Sequence, residues 1–219
     1  MKMLHIVKYS GPFGFIKPWT AVRDGETFSQ QFLTPSTIEG IEKKLFPELL
    51  SKKGRQDYII GHRLNYTGIS RQQEQTWSKS WPEKKGVPTI ELRRIKKKGI
   101  EQFKEVKIPT VIRRPETGIL IRGVLIEPNL YLAFSEKAYA ERAFVQHICL
   151  CRNEDILLPE ERLEASEAEW NSEALPGFEL IFHERPSRQF KIGHNRFDNA
   201  NPMYGELRSF GDPIRKFIE

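Results

Sequence analysis

His62, Arg63 and Tyr66 fall within one five-residue stretch of "YIIGHRLNYTGI". Acid–base chemistry needs a base, an acid and a charge stabiliser in mutual reach, and these three are the best local candidates for such a set. On an extended chain positions 62 and 66 share a face. The other histidines, His5, His147, His183 and His194, stand at no spacing that identifies a pair. Cys149 and Cys151, one residue apart, are too few and too close for a disulfide framework or a four-ligand zinc site, and they read as reduced structural thiols. The acidic run "PEERLEASEAEWNSE" (159–173) is expected to form a helix whose carboxylates spread around a solvated face instead of converging on a metal. Phosphate loops, dinucleotide fingerprints, zinc-protease motifs and serine elbows are all missing from the sequence. No metal and no cofactor are therefore expected.

A second kind of chemistry is written in cations and rings. The runs "WSKSWPEKKG" (77–86), "RRIKKKG" (93–99) and "IRRP" (112–115) crowd into one forty-residue stretch. Each alone reads as a solvated strand or loop. Interleaved with Trp77 and Trp81, the cations Arg93, Arg94, Arg113 and Arg114 describe a track for a polyanion with stacking faces, the pattern of single-stranded nucleic-acid binding. The net charge of +6 fits such a face, with the acid gathered elsewhere.

Further candidates surround "FSQQFLTPSTIEG" (28–40), which follows the basic and aromatic "GPFGFIKPW" (11–19). A helix start presents unpaired N–H groups and a partial positive charge, which suit a phosphate. Thr34, Ser36 and Thr37 add hydroxyls, and Gln30 and Gln31 add amides that reach base edges or sugar hydroxyls. The same residues serve equally as a helix cap, either Ser36 with Glu39 as a capping box or Thr34 before Pro35. Lys17 and Arg23 suit phosphate contacts, and Trp19 suits either base stacking or the core. In "GHNRF", His194, Asn195 and Arg196 follow a strand-end glycine, where they face a ligand or close a turn.

The elements that must position these residues follow from periodicity. The chain has 219 residues, 38% of them hydrophobic and 29% charged, enough for one sizeable core. No apolar run is long enough to cross a membrane, and "MKMLHIVKYSG" lacks the apolar block of an export signal, so a cytoplasmic location is expected. Residues 2–9 alternate as a strand. Asp24-Gly25 reads as a hairpin turn. In "TPSTIEGIEKKLFPELL", Ile38, Ile41, Leu45 and Leu49 mark the buried side of a helix, with Glu39, Glu42, Lys43 and Lys44 on the polar side and Pro47 bending or ending it. Strands are expected over 58–69, interrupted at Gly61, and in "VPTIELRRI" and "EVKIPTVIRR", with a protruding polar excursion over 70–86. "TGILIRGVLIEPNLYLAFS" reads as a hairpin turning at Pro128-Asn129, a short helix follows over 136–146, and "GFELIFH" and "QFKIGHNRF" are extended. The order is α+β, one sheet with helices on one face, the split β-α-β or ferredoxin-like plan.

Three stretches, "GPFGF", "FLTPSTIEG" and "ICLCRNEDI", together resemble the Cas-five family of the RAMP superfamily, compact type I or type IV members of CRISPR class 1 systems. Family members open with a strand ending in a Gly-Pro turn, then show Pro, Thr and Ser before a helix, and later Leu-Gly-Arg followed by an acidic pair. This chain departs by carrying Cys151 in place of that glycine and Glu39 and Glu42 in place of leucines. The resemblance implies a single RAMP domain over 1–219, a β-hairpin thumb inserted at 66–108, and C-terminal strands with the acidic helix over 155–219. It implies an RNA-binding subunit that caps a ribonucleoprotein and holds the 5′ handle of the guide crRNA for interference and antiviral defence. Implied partners are backbone Cas-seven-type subunits, a large or small effector subunit, and target DNA near the PAM. A minority branch cleaves repeat RNA without metal, for which His62 and Tyr66 are the candidates here. A protein-docking module with a basic face is the reading from a different class.

Overall fold

The computed structural model describes residues 3–18, 25–52, 56–76, 89–97, 100–108, 118–182, 190–194 and 201–215. The chain divides into two compact units, one formed by Met1–Gln72 with Ile121–Glu219 and the other by Gln73–Leu120.

The first unit begins with β1 (Met3–Ser10), whose alternation sends Leu4 and Ile6 to one core and Val7 and Tyr9 to another. After β2 (Phe13–Gly14) and β3 (Glu26–Phe28) comes α1 (Pro35–Leu45). Ile38, Ile41 and Leu45 are buried as their spacing requires. The cap is Thr34, extended at φ −89° and ψ 163°, with its Oγ1 accepting the Thr37 N–H at 3.4 Å and Pro35 next to it. The Ser36–Glu39 box is thus corrected: Ser36 lies inside the helix, and Pro35 suits the first helical position because it has no N–H to satisfy. Glu42 also leaves the polar side assigned to it. It is 1% exposed, and its carboxylate accepts the N–H groups of Gln56 (3.1 Å) and Ile59 (2.9 Å), which anchors the helix to the next strand. Phe46 closes α1, and Pro47–Leu49 forms one 3₁₀ turn.

β4 (Ile59–Asn65) shifts register between Ile59 and Gly61 and continues through a turn into β5 (Gly68–Thr76). β8 (Gly118–Ile126) precedes β9 (Asn129–Phe134), α2 (Lys137–Phe144) and β10 (Ile148–Cys149), with β6 (Thr89–Lys97) and β7 (Ile100–Ile108) lying between β5 and β8 in the chain. β11 (Ile156–Ser166), α3 (Glu167–Trp170), β12 (Gly177–Phe182), β13 (Phe190–His194) and β14 (Pro202–Phe210) complete the order.

Eight strands form one antiparallel sheet in the order β10-β11-β1-β9-β4-β12-β14-β13. Its centre, β11-β1-β9-β4, carries α1 between β1 and β4 in the chain and α2 between β9 and β11, a β-α-β-β-α-β order with the last strand beside the first. Both helices pack into the core that contains Val7, Tyr9, Leu132 and Phe134, and the Tyr9 hydroxyl donates to the Ala143 carbonyl of α2 at 2.7 Å. Burial raises the Tyr9 pKa, so this phenol stays a donor. The opposite face is not bare. Leu4, Ile6, Tyr131, Ala133 and Ala165 are covered by Trp170 of α3, against which a Cβ on Gly61 would lie only 2.9 Å away.

Three expectations change. β8 and β9 are not a ladder hairpin: β8 pairs with β2, β3 and β5 in a second sheet, and the chain turns a corner at Glu127, φ 46°. There the Thr67 N–H donates to the Ile126 carbonyl, Glu127 N–H to Pro12 and Gly11 N–H to Pro128, so three strands cross between sheets at one place. β2 and β3 flank β8, β3 running parallel to it, and the run that leads into Asp24-Gly25 lies outside the described residues. The acidic run is strand β11, not a helix, because its backbone is claimed by β1 through eight paired residues, and only Glu167–Trp170 turns helical, under a Ser166–Glu169 capping box. β14 is a strand where no extended segment was expected.

The second unit holds the antiparallel pair β6–β7, in register from Thr89↔Ile108 to Lys97↔Ile100. Among the described residues no helix is long and apolar enough to cross a membrane.

Candidate nucleic-acid interface

The Phe28–Thr37 segment is fastened before it offers anything to a ligand. Ser29 N–H donates to the Gly123 carbonyl at 2.7 Å, and its buried Oγ accepts the Ile16 N–H at 2.9 Å and donates to the Gln30 carbonyl. Gln30 N–H returns to the Ile16 carbonyl at 2.8 Å. This pairing fixes Lys17, the next residue, which is exposed. Gln30 is buried, and its Nε2 donates to the Phe32 carbonyl at 2.9 Å. Gln31 is exposed, and its Oε1 accepts the Tyr66 hydroxyl at 2.8 Å. Thr34 is buried and committed to its cap, with Ser36 Oγ at 3.0 Å and Thr37 Oγ1 at 2.9 Å from its own Oγ1.

These side chains do not converge on one ligand. Ser29, Gln30, Gln31 and Phe32 line an open cavity of about 300 Å³ with Phe178 and Leu207. Ser36 and Thr37 line a different one of about 220 Å³ with Gly40, Ile41, Lys44, Cys149 and Leu150. The fold therefore separates the amides from the hydroxyls that the sequence placed side by side.

Arg63 requires correction. Its side chain is fully buried, with the guanidinium 3.5 Å from the Phe210 ring centroid and 4.5 Å from that of Trp170, and NH1 donates to the Leu175 (2.7 Å) and Ser172 (3.2 Å) carbonyls. Glu179 stands 3.6 Å from Nε. Burial lowers the Arg63 pKa and raises that of Glu179, each with desolvation as the leading cause, so the cost of desolvation outweighs their attraction. This arginine ties the Ser172–Leu175 turn to the sheet and does not reach a surface ligand.

His62 and Tyr66 are 4% and 2% exposed, and burial raises the Tyr66 pKa. Neither ring is presented to a substrate at the surface. Arg93 stands opposite Lys104, and Arg94 opposite Phe103, in the β6–β7 ladder, and His194 ends β13 opposite Pro202. Trp19, Arg23, Trp77, Trp81, Arg113, Arg114, Asn195 and Arg196 lie outside the described residues.

Two features escaped the sequence reading. Phe28, 48% exposed on β3, rests on Gly123 of the neighbouring strand so closely that a Cβ there would come within 2.2 Å of the ring. Buried Phe15 has the Arg122 guanidinium at 5.9 Å and that of Arg152 at 5.4 Å from its centroid, both within cation–π range. Arg152 is held by buried Asp155 through Nε–Oδ2 at 2.9 Å and NH2–Oδ1 at 2.7 Å, closing the "CRNED" loop on itself. An exposed phenylalanine on a strand opposite a glycine is a signal legible in sequence once the pairing is known. The pairing of Phe28 with Gly123 is not.

No family model matches the chain, and no curated protein matches it. Among solved structures, a chain described as belonging to a CRISPR RNA-guided surveillance complex aligns over 94% of this chain and 90% of its own, with a TM-score of 0.48 and 12% identity. That is a resemblance in chain trace, at an identity too low to carry residue roles across.

Proposed function

We propose that the chain is the RNA-binding, non-catalytic Cas-five-type subunit of a CRISPR class 1 ribonucleoprotein, holding the 5′ handle of the guide RNA. The observation that carries this reading is topological. A β-α-β-β-α-β sheet, read here as the ferredoxin-like RAMP core, is interrupted between β4 and β9 by a compact unit, Gln73–Leu120, that holds the antiparallel β6–β7 pair, with residues 93–97 of "RRIKKKG" on β6. We read that unit as the thumb. The segment "FLTPSTIEG", which carries the sequence resemblance, supplies exposed Ser36, exposed Gln31 immediately precedes it, and Lys17, Arg122 and the exposed ring of Phe28 stand on the β2–β3 side. Cations to follow a backbone and rings to take bases are the parts of a single-strand site. Backbone Cas-seven-type subunits, a large or small effector subunit and target DNA near the PAM are the partners this role carries with it.

The test is binding of the repeat-derived handle, measured by fluorescence anisotropy against a scrambled RNA of equal length. Affinity is expected to favour the handle and to fall with salt at a logarithmic slope of about −0.7 per phosphate neutralised. Equal affinity for both RNAs overturns the handle reading. Cutting of the repeat at one position in the presence of a chelator overturns the non-catalytic assignment.

A further inference from the structure

The cavity between the Ser29–Phe32 segment and the β12–β14 pair has a polar pattern that no described residue consumes. Tyr66 donates its hydroxyl to Gln31 Oε1 at 2.8 Å, which fixes that amide's oxygen and leaves its NH2 without a partner among the described residues. Gln30 is tethered the other way: its NH2 donates to the Phe32 carbonyl at 2.9 Å, and its oxygen is left without a partner among those residues. Two amides, each locked at one end, thus offer one donor and one acceptor from consecutive residues. The rest of the described lining is Ser29, whose Oγ is already engaged by the Ile16 N–H and the Gln30 carbonyl, and the apolar Phe32, Phe178 and Leu207; among the described residues no charged side chain contributes. Phe178 is itself set by Tyr66, ring centroids 6.4 Å apart.

A site without charge does not select a phosphate or a carboxylate. A neutral planar group with a donor and an acceptor on one edge fits it, and about 300 Å³ is the small end of ligand pockets. Amide side chains that read base edges together with aromatic walls that take base faces are the means by which unstacked bases are recognised. We infer that this cavity takes one unstacked nucleobase of the bound RNA, its edge read by Gln31 and Gln30, while Lys17, which follows the Ile16 that holds both Ser29 and Gln30, neutralises a neighbouring phosphate. This rests on the RNA-binding reading and adds a position-specific contact to it.

The full chain is tested against handle RNAs that each carry one abasic nucleotide. One position is expected to weaken binding about tenfold or more, and the others far less. Gln31→Glu keeps an acceptor for the Tyr66 hydroxyl and removes the donor. It is expected to weaken intact RNA by about the same factor while binding the sensitive abasic RNA as the parent does, once the general charge effect is taken from the other abasic RNAs. Leu207→Trp, a change at a 40% exposed position, fills the cavity and is expected to erase the abasic sensitivity with the fold intact by circular dichroism. Free nucleoside monophosphates, added as AMP, CMP, GMP and UMP, are expected to shift the Gln31 side-chain amide resonances, with one base preferred. Handle binding indifferent to every abasic position and to both variants overturns the pocket and leaves the RNA-binding reading standing. A response to free nucleotides with no sensitive position in the RNA overturns the assignment to a guide base. Failure to bind any RNA removes both.

Discussion

At the scale of single residues, the largest energetic stake is Arg63. It is a buried cation held between two rings, two carbonyls and one carboxylate. Removing one member of a buried ion pair leaves the other charge uncompensated, so Arg63→Ala is expected to destabilise the protein by about 3–5 kcal/mol in urea unfolding. A surface arginine bound only to RNA would cost nothing in that measurement. Glu179 adds a pH dependence whose sign is set by burial. Its carboxyl is pushed above the usual glutamate value by desolvation, against the pull of the His62 backbone N–H and Arg63. The folded protein therefore holds this proton more tightly than the unfolded chain. The stabilisation is fully present below about pH 4.3 and is lost as pH rises through the elevated folded value. Urea midpoints measured from pH 4 upward should show this decline, and Glu179→Gln should remove it. An unchanged profile in that variant assigns the slope to another group.

At the scale of elements, α1 is fixed by its first turn and by a charge on its buried side. Thr34 caps it, so Thr34→Ala is expected to cost about 1 kcal/mol, whereas Ser36→Ala, at an exposed position already inside the helix, should cost a small fraction of that. Equal losses in the two variants, measured by thermal unfolding, would restore Ser36 as the cap. Much of α1 was legible in the sequence: its apolar spacing and the Thr-Pro start are local signals, and local signals survive folding. Glu42 was not, because the N–H groups it satisfies belong to residues 56 and 59, across a turn. β11 shows the opposite failure. Its Glu- and Leu-rich composition favours a helix, and pairing with β1 overrides that preference once Lys8 meets Glu160 at 2.9 Å and Ala165 enters the second core.

At the scale of the whole molecule, the eight-stranded sheet and both of the hydrophobic clusters described above lie in the compact unit formed by Met1–Gln72 with Ile121–Glu219. A chain in which a short glycine–serine linker joins Gln72 to Ile121 is therefore expected to keep its circular dichroism and nearly its full thermal midpoint. Its RNA salt slope should become shallower by about 0.7 for each phosphate contact the hairpin supplies. Loss of cooperative unfolding in that variant would show that the inserted unit is part of the core. The sequence by itself determined the α+β class, the strand character of β1, β4, β9 and β12, the amphipathic α1, and a polar, basic stretch with almost no aliphatic residues to bury, because periodicity and composition act over a few neighbouring residues. Only the tertiary structure decided that Arg63 serves the interior, that β8 leaves β9 for another sheet, and that Gln30 and Gln31 face one cavity while Ser36 and Thr37 face another. The burial of Arg63 and the cavity at Gln30 and Gln31 depend on Trp170, Phe178, Leu207 and Phe210, which lie more than a hundred positions away along the chain and are brought close by pairings such as those of β4 with β12 and of β12 with β14.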